Sequence, residues 1–199
     1  MKKSTLTYLF IFMTTALFGQ EFKISVGPTL SNISYYKLAP GLYSRAKFGL
    51  NADFEYIFIT NRKLEFGIGA TLHNSHVEII IPHLETLGAT HITQNVALLS
   101  INFTSIYNLG PDFYLRLSPI LDFQIKHNPL HRIGDQTGVG LSFGIGNNIK
   151  LSESVSLNIE PKLWIHNMIP LRDKHLNYWL TTAGLNMGLV FGHKKNLND

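Results

Sequence analysis

The stretch FYLRLSPILDFQI, Phe113 to Ile125, decides the fold. Its odd positions are Phe113, Leu115, Leu117, Pro119, Leu121, Phe123 and Ile125, and its even positions are Tyr114, Arg116, Ser118, Ile120, Asp122 and Gln124. Period-2 alternation puts one face in an apolar medium and the other against charge and hydroxyls. A half-buried strand of a soluble sheet alternates for about 4 to 8 residues, whereas a tilted strand crossing a bilayer needs about 9 to 11. This run is thirteen residues long.

The same pattern recurs on both sides of it. Outward apolar sets predict strands over Phe22–Leu30, Phe48–Phe58, Leu64–Leu72, Leu99–Leu109, Val139–Leu151, Val155–Ile165 and Ala183–Phe191, making eight with the first. The tight turns Thr60-Asn61-Arg62-Lys63, Gly110-Pro111-Asp112 and Ser152-Glu153-Ser154 alternate with long connections, which include about 76–92 and 127–137. Alternating long and short connections predict an all-β chain, an eight-stranded antiparallel up-and-down transmembrane β-barrel with short periplasmic turns and long external loops. Phe22, Phe58, Phe66, Tyr107, Phe113 and Phe191 gather at the short-turn ends as one interfacial girdle, and Tyr35, Tyr36, Tyr43, Tyr178 and Trp179 are candidates for the other.

The opening MKKSTLTYLFIFMTTALFGQ has two lysines, an apolar run from Leu6 to Phe18 and a small Gly19. It reads as a secretory signal peptide over 1–20, leaving a barrel over 21–192 and a short periplasmic tail over 193–199. The apolar run is too short for the roughly 20 residues of a spanning helix. There is no cysteine, hence no disulfide framework and no lipidated Cys. Without Lys2 and Lys3 the net charge of +4 falls to +2, too mild a balance to argue for nucleic acid.

Asp53, Glu55, Arg116, Asp122, Glu160 and Lys162 all fall on the inward parity. A soluble lipocalin-type barrel needs apolar residues there, so these charges favour the membrane barrel. Buried charges persist only when paired and hydrogen-bonded, so Arg116 and Lys162 are expected to bridge Glu55, Asp53, Asp122 and Glu160 in a plugged lumen. Eleven of the sixteen glycines share that parity. In an eight-stranded barrel, just wide enough to be filled by side chains, glycines on strands three, six and eight make room for Arg116, Tyr114, Trp164 and Lys162.

Histidine offers two further patterns. His73, His76, His83, His91, His127, His131, His166 and His175 lie in or beside the long connections, with His193 at the opposite end. Imidazole suits metal or haem, but no pair has helical i, i+4 spacing or a tight carboxylate motif, so no metal or cofactor is assigned. His73-Asn74-Ser75 places a histidine and a serine on one face, similar to the His-x-Ser arrangement of outer-membrane lipid A deacylases. Glu65 shares that parity but lies about 26 Å away along an extended strand, so Glu78 or Glu85 would have to fold back. The pair also faces inward, away from lipid. The apolar run Val77-Glu78-Ile79-Ile80-Ile81 either extends the barrel or exposes a pairing edge.

The segments SVGPTLSNIS, FGLNADFEYIFITNRKLEFGIGATL, LLSINFTSIYNLGPDFYLRLSPILDF, GVGLSFGIGNNIKLSESVSLNIEPKLWI and AGLNMGLVF together resemble the small outer-membrane β-barrel domain family of Bacteroidetes, the PorT-like group. Where that family often carries a proline in strand four after Tyr-Leu-x-Ile, this chain has Ser100-Ile101-Asn102-Phe103. The resemblance implies an outer-membrane location and, for some relatives, a role in type IX secretion; it assigns no functional residue. The reading is a non-enzymatic structural or protein-interaction barrel, with outer-membrane lipid, lipopolysaccharide and envelope or secretion proteins as partners. The alternatives are a lipid A-modifying enzyme and a ligand-binding or narrow transport barrel.

Overall fold

The computed structural model describes residues 20–35, 43–59, 63–81, 90–125, 134–172 and 178–192. The signal-peptide reading, the tail over 193–199, the turn at 60–62, Tyr36, Glu85, and His83, His127, His131, His175 and His193 lie outside them. Eight antiparallel strands follow in chain order: β1 (Gln20–Tyr35), β2 (Tyr43–Ile59), β3 (Leu64–Ile81), β4 (Thr90–Asn108), β5 (Phe113–Gln124), β6 (Gly138–Lys150), β7 (Val155–Pro170) and β8 (Tyr178–Gly192). Each pairs with its sequence neighbours, and β1 pairs with β8 to close the ring. The closing ladder runs from Glu21↔Gly192 to Tyr35↔Tyr178.

The predicted alternation is the one observed. On β5 the even side chains from Tyr114 to Asp122 are buried, while Phe113, Leu117 and Phe123 are exposed. The belt continues around the ring through Ile24, Leu50, Ile68, Phe103, Ile145 and Met187, all exposed. A surface this apolar, closed over buried Asp, Glu, Arg and Lys side chains, needs hydrocarbon outside it. On β3 the outward apolar residues run from Leu64 to Leu72; nine residues tilted at about 45° rise about 21 Å, close to the roughly 25 Å band of outer-membrane barrels.

The strands extend beyond the predicted limits at the long-connection end, most of all on β3 and β4, which stay paired to Ile81↔Thr90 across much of the expected 76–92 connection. The physical reason is an inversion of faces. Above Leu72 the outward face of β3 runs Asn74, His76, Glu78 and a half-buried Ile80, and the apolar Val77 and Ile79 take the inward positions and are buried. Val96 and Leu98 on β4, Ile33 on β1 and Leu180 on β8 join them in one apolar cluster, with Tyr178 packed on it. Below the rim the outside is lipid and the inside polar; above it the outside is water and the inside apolar. Tyr178, predicted for the girdle, therefore belongs to the interior, whereas Tyr43 is exposed as predicted. The Val77–Ile80 stretch has partners on both sides, β2 and β4, so it presents no pairing edge.

Two irregularities shape this end. β2 carries a bulge between Ala46 and Leu50. β7 carries a larger one, where Val139↔Ile169 gives way to Leu141↔Ile165 and Asn167 adopts φ 56°, a left-handed conformation that Asn tolerates. There the described part of the β5–β6 connection, Gly134 to Thr137, is buried. Gln136 N donates to Gln124 Oε1 (2.7 Å), Gln136 Nε2 to the Tyr178 carbonyl (3.3 Å) and Asn167 Nδ2 to the Asp135 carbonyl (3.3 Å).

The inversion fixes the height of the bilayer on the wall. Ile68→Arg, at the middle of the belt, is expected to destabilise the barrel in vesicles by about 2–4 kcal/mol in urea titration, and Ile80→Arg, on the same outward face above it, by less than about 1 kcal/mol. Equal losses would show that β3 stays in hydrocarbon along its whole length.

Candidate functional site: the filled lumen

From the short-turn end upward, the interior begins with an apolar layer of Ile57, Ile106 and Tyr114. Tyr114 lies over Gly146, where an added Cβ would sit 2.0 Å from the ring, so β6 must be bare at that position. Trp164 similarly rests against Gly184 on β8, at 3.2 Å from the Cβ position. Glycine does make room on β6 and β8, as predicted.

Next comes the ionic layer. Arg116 on β5 donates through one terminal nitrogen to Glu55 on β2, and its Nε lies 2.6 Å from Glu160 Oε1 on β7. Lys23 on β1 pairs with the other Glu160 oxygen. Tyr114 Oη accepts from Lys23 Nζ (3.4 Å) and from Asn158 Nδ2 (2.8 Å), and the Arg116 guanidinium stands 5.6 Å from the Tyr114 ring centre. Above this, Lys162 Nζ lies 3.3 Å from Asp53 Oδ2, and Asp53 also accepts from Thr71 and Asn186. All these charged groups are buried.

Five of the six predicted charges therefore sit in this mesh, in the pairs Arg116–Glu55, Arg116–Glu160 and Lys162–Asp53. The expected bridge from Arg116 or Lys162 to Asp122 does not form. Asp122 lies six residues above Arg116, about 20 Å along the strand. It meets His166 Nδ1 at 3.0 Å and accepts from Ser100 Oγ. Lys23, which is not among the six predicted charges, joins the network: it shares the inward parity and stands opposite Glu55 in the β1–β2 register.

His166, expected in or beside an external connection, is inside, together with His73, whose parity already faces it inward. His73 and His166 are fully buried, with ring centres 4.9 Å apart, and His73 packs edge-on against Trp164 at 5.0 Å. The signal was available: His166 continues the inward series Glu160, Lys162, Trp164. His76 and His91 face outward, with His91 Nδ1 3.0 Å from Glu78 Oε1. His73 and Ser75 share the inward face as predicted, but Ser75 Oγ accepts from Ser31 Oγ at 2.9 Å. Glu78 is held on the outer wall by Lys47 Nζ at 3.0 Å and by His91, and Glu65 is buried near the opposite rim. Ser100 and His166 both bond the Asp122 carboxylate and are not shown bonded to each other, so this trio lacks the serine-to-histidine link of a nucleophilic triad, and among the described residues no three His, Asp or Glu side chains converge as a metal-binding group.

The described lumen is filled. Beside Lys23, Tyr114 and Arg116 there is a void of about 10 Å³, space for one water at most. A cavity of about 430 Å³ opens at the short-turn rim among Glu21, Asp112, Lys150, Glu153 and Ser156. The apolar cluster of Ile33, Val77, Ile79, Val96, Leu98 and Leu180 lies above the polar layers at the opposite end.

Two outcomes follow from these pairs. Removing one partner of a buried ion pair leaves an uncompensated charge, so Arg116→Met and Lys23→Met are each expected to lower stability by about 3–5 kcal/mol in urea titration. A change below 1 kcal/mol for either would show that its pairs are dispensable. On the outer wall, the hydrogen bond from Lys47 holds the Glu78 carboxyl below the usual carboxylate range, with His91 adding to it. Its contribution is complete above the unfolded value and is lost as pH falls through the lower folded value. Amide exchange in β2–β4 above the belt is therefore expected to stay slow until the pH drops below the ordinary glutamate range, and to be faster at neutral pH in Glu78→Gln. Exchange that ignores both changes would remove Glu78 as a tie.

No family model matches the chain, and no curated protein does. Among solved structures, it is similar to Neisserial surface protein A, at 14% identity and a TM-score of 0.50 over 86% of this chain and 96% of that one. It is also similar to the outer membrane protein OprG of Pseudomonas aeruginosa, at 13% identity and a TM-score of 0.50 over 88% and 96%. The attachment invasion locus protein Ail of Yersinia pestis, solved with the heparin analogue sucrose octasulfate, aligns at 14% identity and a TM-score of 0.42 over 86% and 99%. The fold is that of small eight-stranded outer-membrane barrels, and the apolar belt fits this chain to span a bilayer as they do.

Proposed function

We propose that this chain is a closed, non-enzymatic outer-membrane barrel that serves as a structural or protein-interaction module. One observation carries the reading: the lumen is occupied by cross-strand ion pairs between two apolar layers, while the β2–β4 wall rises well beyond the lipid belt. A lumen packed in this way supports neither conduction nor a substrate channel. The projecting wall offers polar surface to a partner. The resemblance of the strand segments to PorT-like barrels supports a partner in secretion or envelope assembly.

Three measurements test this. In planar bilayers the refolded protein is expected to give no stable conductance steps; regular steps would establish a pore. His73→Ala and Ser75→Ala are expected to leave the lipid A of the producing cells unchanged, and an altered lipid A would make the barrel an enzyme. Isolation from native membranes in mild detergent is expected to retain an envelope protein that is lost when β3 and β4 are shortened above Leu72 and Leu99. A barrel that always emerges alone would overturn the interaction role.

A further inference from the structure

The outward face of β2–β4 changes character within a few residues of the belt. On β2, Phe48 and Leu50 are exposed apolar residues, and immediately above them come Lys47, Arg45 and the exposed ring of Tyr43. The cross-strand register sets Arg45 opposite Glu78, and Glu78 opposite Thr93. Glu78 ties down Lys47 and His91 on either side, at 3.0 Å each, leaving the Lys47 and His91 side chains 40% and 48% exposed. Arg45 is exposed and has no ion-pair partner among the described residues. The site therefore holds a free guanidinium fork, a fixed ammonium with donors to spare and an exposed imidazole around one carboxylate, at the height where hydrocarbon ends.

We infer that this patch, with Arg45 and Lys47 as its principal ligands, binds the phosphate of a lipid A molecule in the outer leaflet. The occupant follows from position and charge. With the short turns on the periplasmic side, this rim meets the outer leaflet, whose lipid carries phosphate monoesters on a sugar just above its acyl chains. Arginine presents a planar fork that matches phosphate oxygens bidentately, and lysine adds a point charge. The exposed belt below accepts acyl chains along Phe48, Leu50 and Leu72. Glu78 acts as a positioning residue: it holds Lys47 and His91 in place beside Arg45. The inference depends on the orientation of the barrel and not on its proposed interaction role.

Native mass spectrometry of the folded full chain in detergent, titrated with lipid A, tests it. Loss of two charge-assisted hydrogen bonds makes Arg45→Ala/Lys47→Ala bind lipid A at least about tenfold more weakly. Arg172→Ala removes an exposed arginine of the same rim on the far wall, where it pairs with Asp135 at 3.7 Å, and is expected to bind as the parent does. Dephosphorylated lipid A is expected to bind the parent as weakly as lipid A binds the double variant. Equal binding by parent and double variant overturns the site, and so does an equal loss in Arg172→Ala. Binding of dephosphorylated lipid A at parental strength, or inorganic phosphate competing at equal concentration, overturns the lipid phosphate as occupant. Thermal unfolding of each variant distinguishes a lost contact from a lost fold.

Discussion

Hydrocarbon cannot hydrogen-bond a peptide group, and everything else in this molecule follows from that. A strand in lipid needs a partner on each side, so the sheet has to end where it began, with β1 against β8. Closure of eight strands leaves an interior about as wide as the side chains that line it. With every outward position given to lipid, polar side chains go to the lumen, where a charge is tolerable only beside its opposite. Arg116 between Glu55 and Glu160 is the point at which these demands meet.

The molecule works against two solvents. In the bilayer it is apolar outside and ionic within; above the bilayer, on the same strands, it is polar outside and apolar within. Nothing in the backbone marks the change on β3, which runs unbroken from Leu64 to Ile81 while its side chains exchange roles around Asn74. The cap of Val77, Ile79, Val96, Leu98 and Leu180 is thus a small soluble-type core set above a membrane-type interior.

This explains what could be read from the sequence. Parity along each strand was legible because lipid rewards one face continuously, and it placed all six inward charges inside. The strand ends were not, because a rule equating apolar with outward loses its meaning where water replaces lipid: Val77 and Ile79 then look like a loop of the wrong composition. Pairing within the lumen was legible only in part. Parity says which residues face inward, while height depends on the stagger between strands, so parity alone does not separate Asp122 from cations that sit well below it. Lys23 already stands on the inward parity of the first predicted strand, and His166 is reached by extending the alternation one step beyond Ile165.

The ion pairs also join parts of the chain that are far apart in synthesis. Lys23 lies on the first strand and its partner Glu160 on the seventh; Arg116 on the fifth reaches back to Glu55 on the second. Strands entering the bilayer one at a time would bring Lys23 and Glu55 in side by side, but their ion-pair partners Glu160 and Arg116 arrive only with later strands. The ionic layer is thus completed only when β7 has joined the ring, and the first strand's lysine takes its final partner from the last strand but one.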